Sequence, residues 1–124
     1  MKTLIKFAAI AAFAAFTSNV YAEAAGEAQV RAAAEGTVAK LEEAVGLAEK
    51  GADTAELVKV INEARQLQKE FRYEGTERLR QKANDKLRIA REAFEGGDKQ
   101  AADTNLKAAL ATYQEMVKIY KAAH

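Results

Sequence analysis

The chain has 124 residues, with 19 basic and 18 acidic side chains and a formal net charge of +1. It has no Cys, no Pro and no Trp, and its single His is the last residue. Disulfide frameworks, thiolate metal sites, cysteine nucleophiles and covalent haem attachment are thereby excluded, and histidine catalysis would rest on one C-terminal side chain.

Residues 1–22 read as a secretory signal peptide. Lys2 and Lys6 make a basic start without an acid, Phe7 to Phe16 is an unbroken apolar run, and Val20-Tyr21-Ala22 places modest side chains before a cleavage site after Ala22. The apolar run is about half the roughly 20 residues that span a bilayer, so no permanent membrane helix is expected. With no Cys after the site, lipid attachment there is excluded. The short, Lys-flanked form points to the bacterial periplasm. Residues 23–124 then form one domain with a slight acidic excess, because cleavage removes Lys2 and Lys6. That balance is not a nucleic-acid signature.

Helical periodicity runs through all of this domain. Helix one is expected from about Glu27 to Lys50, with an apolar stripe at Val30, Ala34, Val38, Leu41, Val45 and Ala48 and a glycine stop at Gly51. Helix two opens at Asp53-Thr54-Ala55-Glu56, which has the form of a capping box, and carries Leu57, Val60, Ile61, Ala64, Leu67 and Phe71 on one face. Tyr73-Glu74-Gly75-Thr76 breaks it, and Thr76 is the expected N-cap of helix three, whose stripe is Leu79, Ala83, Leu87, Ala90 and Phe94. Gly96-Gly97 ends helix three. Asp98 caps helix four, with Ala102, Leu106, Ala109, Tyr113, Met116 and Tyr120 facing the core.

The fold class is therefore all-α, an antiparallel four-helix bundle with short connections. The similar turns around Gly51 and Gly96-Gly97 suggest two packed helical hairpins; a simple bundle without duplication is equally consistent. Chain count stays open between a monomer and a dimer swapped through the Glu74–Gly75 turn.

No cofactor is expected. A di-iron bundle needs helix-borne His, and a b-type haem needs axial ligands, for which only Met116, on the apolar stripe, and the terminal His124 exist. Tyr73, Tyr113 and Tyr120 read as bundle-edge aromatics. No phosphate-cradling glycine loop and no nucleophile–base pair is present, so an enzyme is not expected.

Two charged stretches are the candidate sites. Glu35, Glu42 and Glu49 recur every seven residues on helix one with Glu43 beside them, an acidic stripe that is either a solvated face or a weak oxygen-ligand site for a divalent metal. Between Lys69 and Arg91, eight basic residues outweigh four acids and leave about +4, either a face complementing the acidic helix one or a docking surface for an anionic partner. Arg72, Arg88 and Arg91 are the candidate partner-binding residues.

Leu41-Glu42-Glu43-Ala44-Val45, Glu49-Lys50-Gly51, Asn62-Glu63-Ala64-Arg65 and Ala90-Arg91-Glu92-Ala93-Phe94-Glu95-Gly96-Gly97 together resemble the small metal-binding protein family of short exported bacterial helical bundles. The resemblance spans roughly Ala34 to Tyr120 and implies an exported bundle and divalent metal binding. That family ligates metal through helix-borne His. This chain has none in the bundle, so no ligand position carries over. The expected function is an exported, non-catalytic interaction protein of the periplasm, meeting another protein or an anionic envelope surface. The alternative is a metal-ion-binding protein of the small metal-binding type that uses the helix-one carboxylates.

Overall fold

The structure, a computed structural model, describes residues 25–124. The expected signal peptide and its cleavage site lie outside the described residues. What is described is all-helical: α1 is Ala25–Glu49, α2 is Thr54–Leu67, α3 is Glu77–Glu95 and α4 is Lys99–Ala123, with two single turns of 3-10 helix at Gln68–Glu70 and Glu74–Thr76. No helix among the described residues is long and apolar enough to cross a membrane. α1 packs on α2 and α4, and α3 packs on α2 and α4.

The two glycine turns are built alike. At the first, Gly51 takes φ +74°, its N–H donates to the Ala48 carbonyl (3.1 Å), and the Ala52 N–H reaches the Leu47 carbonyl (3.0 Å). At the second, Gly97 takes φ +83°, with Gly97 N–H to Phe94 (3.2 Å) and Asp98 N–H to Ala93 (2.9 Å). Both are Schellman stops, which satisfy the orphan carbonyls of a helix end and need a residue tolerant of positive φ. The second turn is one residue shorter. Asp98 closes the Schellman motif and also caps α4, its carboxylate accepting from the Ala101 N–H at 3.1 Å.

The other two expected caps are not made. Asp53 stands at the N-cap of α2 but its side chain takes no capping hydrogen bond, so the capping box does not form. Thr76 stands at the N-cap of α3 with its hydroxyl turned back, donating to the Tyr73 carbonyl at 3.2 Å. A hydroxyl buried against the preceding 3-10 turn finds its nearest acceptor there, ahead of the helix it precedes.

The core is a layer of Ala and Leu with a few large side chains. Leu41, Ile61, Phe71, Leu87, Leu106, Tyr113 and Met116 are fully buried. Every expected α4 position is in it. On α1 the seam is rotated from the expected one: Ala33, Thr37 and Ala44 are buried beside Ala34 and Leu41, whereas Val38 and Val45 are half-buried shoulders. Small side chains at the seam let α1 lie close to its neighbours, and Thr37 loses nothing by burial because its hydroxyl donates to the Ala33 carbonyl (2.7 Å). Tyr113 and Tyr120, placed on the core-facing stripe but also read as edge aromatics, are both buried, so the stripe reading holds and the edge reading does not.

Helices two and three are separate. α2 ends at Leu67, earlier than the expected break, and Phe71 is buried from outside any helix. Tyr73 lies over Gly75 so closely that a Cβ there would come within 2.7 Å of the ring. Tyr73 also meets Tyr120 edge-on, with centroids 5.3 Å apart. This aromatic corner takes in the chain end, where the His124 ring stacks on Tyr120 (4.1 Å) and its Nδ1–H donates to the Tyr120 carbonyl (2.9 Å).

Candidate functional site

The α2–α3 side of the molecule holds its most developed polar structure. Gln68, at the start of the 3-10 turn after α2, is almost fully buried. Its amide N–H donates to the Arg65 carbonyl at 2.8 Å. Its Oε1 accepts from Arg80 Nη1 at 2.7 Å and lies 3.5 Å from the Tyr113 hydroxyl. Arg80 also donates from Nε and Nη2 to the two carboxylate oxygens of Glu77, at 3.0 and 2.7 Å. This two-pronged pairing holds the Glu77 carboxyl below its ordinary range and the Arg80 guanidinium above its own. Burial pushes the Tyr113 hydroxyl up, which keeps it a neutral donor. The network pins α3 to the end of α2 and to α4. Hydropathy patterning did not reveal Gln68 or Arg80, because polar residues read as surface. The available signal was that Gln68 follows Leu57, Ile61 and Ala64 on the helical face of α2.

Beyond this network α2 and α3 flank an open cleft of about 320 Å³, lined from α2 by Asn62, Arg65 and Gln66, with Lys69 just beyond, and from α3 by Asn84 and Arg91. Arg65 Nε donates across it to Asn84 Oδ1 at 3.3 Å. No acidic side chain lines it. Arg91 Nε is shut off from solvent with no hydrogen-bond partner, a condition that costs about 1–3 kcal/mol when nothing fills it.

The three expected partner-binding arginines do not form one patch. Arg72 lies ahead of α3, largely exposed, 3.4 Å from Glu77. Arg88 and Arg91 are in the second half of α3, more than a dozen residues on at about 1.5 Å each. Arg88 faces solvent and bridges Asp85 (3.8 Å) and Glu92 (3.4 Å). Arg91 turns inward to the cleft.

The four expected metal-ligating carboxylates all lie on the exposed side of α1. Glu35 faces Lys121 at 3.4 Å, Glu43 faces Lys40 at 3.6 Å and Glu49 faces Lys107 at 4.0 Å. Glu35 and Glu42 flank a shallow groove between α1 and α4 with Val38 and Val117 on its floor. Among the described residues no three His, Asp or Glu side chains are grouped so as to hold a metal ion.

No protein-family model matches the chain, and no curated protein or solved structure matches it significantly.

Proposed function

We propose that the protein is a non-catalytic binding module of the bacterial periplasm, exported by its N-terminal segment and folded as an antiparallel bundle of two helical hairpins. It engages an anionic partner at the cell envelope through the basic side of α3. The antiparallel reading is supported by pairs at both ends of α1 and α4: Tyr120 reaches the Glu27 carbonyl, and Lys107 faces Glu49. The non-catalytic reading is supported by the lack of any histidine before position 124.

One observation carries the functional reading, the way charges are paired. The carboxylates of α1 are met by Lys40 of α1 itself and by Lys107 and Lys121 of α4. Among the described residues none is met by a base of α3. The paired arginines of α3, Arg80, Arg88 and Arg91, meet only acids of α3. Arg78, Lys82 and Lys86 have no carboxylate within ion-pair distance among the described residues. They follow one another at every fourth position and so share a face of the helix. A run of unpaired cations on one face attracts an anionic surface and repels a basic one.

The test is charge reversal. Arg78→Glu combined with Lys82→Glu abolishes retention of the protein on an anionic envelope fraction at about 0.15 M salt, with far-UV circular dichroism unchanged. Undiminished retention of a folded variant removes the reading.

A further inference from the structure

The geometry points to the cleft between α2 and α3 as an oxyanion-binding site, built from Arg65, Lys69 and Arg91 and taking a phosphate-type group. The inference goes beyond the reading above, because Asn84 and Arg91 stand about 120–180° around α3 from Arg78, Lys82 and Lys86 and face α2 instead.

Three observations converge. The first is charge: three cationic side chains and four side-chain amides line the cleft, and no carboxylate does. In a chain with almost equal numbers of acids and bases this concentration is not a consequence of composition. Arg65 and Lys69 have no acid within ion-pair distance among the described residues, and Arg91 Nη2 has only the exposed Glu92 at 4.0 Å. The second is the orphaned donor. Arg91 Nε is buried without a partner, although buried N–H groups are ordinarily bonded. The third is preorganisation. Arg65 is held across the cleft by its bond to Asn84 Oδ1, and the backbone that presents it is fixed by Gln68 through the Arg65 carbonyl. A fork held in place loses less freedom on binding than a free side chain.

The chemical class follows from the donors. Two guanidinium groups and an ammonium from two walls suit a ligand with more than one negative charge and several acceptor oxygens. A phosphate carries about −1.5 to −2 near neutral pH and at least three such oxygens, whereas a single carboxylate has one charge and two. The volume, about 320 Å³, is at the small end of the roughly 300–1,000 Å³ of small-molecule sites, so the site holds a head group and leaves the rest of the molecule outside.

The experiment is an NMR titration of the protein, purified as its host produces it, with inorganic phosphate, against chloride at equal ionic strength. The expected result is saturable shifts below about 10 mM, confined to residues 62–69 and 84–91 and to the side-chain amides of Asn62, Gln66 and Asn84. Arg65→Gln and Arg91→Gln each weaken phosphate binding at least about fivefold. Arg91→Gln does so with a melting temperature equal to or above that of the parent, because it removes an unsatisfied buried donor. Unsaturated shifts scattered over all surface lysines overturn the site, as does an unchanged affinity in both variants. Vesicles of phosphatidylglycerol, with phosphatidylcholine as control, identify the source. Vesicle binding lost in the same two variants assigns the group to a lipid head group, and phosphate binding without vesicle binding assigns it to a free phosphate; either supports the site. Vesicle binding retained in both variants, with no saturable phosphate binding, overturns the site and leaves the broader anionic-partner reading standing. Loss of both kinds of binding in the parent protein overturns both.

Discussion

Arg80 Nη1 donates to Gln68 Oε1 across 2.7 Å, and this bond ties α3 to the 3-10 turn that follows α2. Gln68 is the acceptor for a charge that would otherwise sit half-satisfied against the core. Gln68→Ala leaves Arg80 Nη1 and the Tyr113 hydroxyl without this acceptor and lowers stability by about 1–3 kcal/mol. Urea unfolding followed by circular dichroism measures it, and a loss below about 0.5 kcal/mol would show the turn to be held by packing alone.

The same network sets a pH dependence. Hydrogen bonding to Arg80 lowers the Glu77 carboxyl, so its folded value lies below its unfolded one. The stabilisation is therefore complete above the unfolded value, about 4.3 for a free Glu, and is lost as pH falls through the folded value. Glu77→Gln is less stable than the parent at pH 7, and the difference narrows below about pH 4. A difference that stays constant down to pH 3 contradicts the pairing.

Glycines separate turn from helix interior. Gly51 and Gly97 have positive φ, and replacing either by Ala costs about 1–2 kcal/mol. Gly46 lies within α1 with open space where a Cβ would go, so Gly46→Ala gains about 0.5–1 kcal/mol. Thermal melts of the three variants check the signs.

Core and surface leucine-like residues on α3 differ in the same way. Leu87 is fully buried and Ile89, two positions on, is 40% exposed. Leu87→Ala costs about 2–5 kcal/mol. Ile89→Ala stays within about 0.5 kcal/mol of the parent in the same unfolding assay.

How much of this was legible follows from what hydropathy can register. α4 was readable throughout, because Ala102, Leu106, Ala109, Tyr113, Met116 and Tyr120 repeat with little interruption and all are buried. α1 was readable as a helix but not in its rotation. Thr37 reads as polar until its hydroxyl is seen to be satisfied by its own helix, and Ala33 and Ala44 carry too little apolar surface to outbid Val38 and Val45. Asp53 and Asp98 could both be read as N-caps from their place between a glycine turn and a helix, but only Asp98 makes the capping bond, and nothing in the sequence separates the two. The α2–α3 cleft could not be read. Its lining comes from residues 62–69 and 84–91, charged and amide side chains that a linear pattern assigns to solvent. Arg91 was singled out for its charge, and only the folded chain separates it from Arg72 and turns it toward Arg65.

The central claim is that the unpaired run Arg78, Lys82 and Lys86 of α3, and not the α4 lysines Lys107 and Lys121 that face carboxylates of α1, meets a partner. The direct measurement compares two charge-reversed variants of equal net charge for binding to phosphatidylglycerol vesicles and to the native envelope fraction: Arg78→Glu with Lys82→Glu on α3, and Lys107→Glu with Lys121→Glu on α4. Lys107 and Lys121 already face Glu49 and Glu35, whereas Arg78 and Lys82 face no acid among the described residues. The account predicts that the α3 pair abolishes binding to the envelope fraction and the α4 pair leaves it within about twofold of the parent. Equal losses in both variants would mean that only net charge is sensed, and would contradict it.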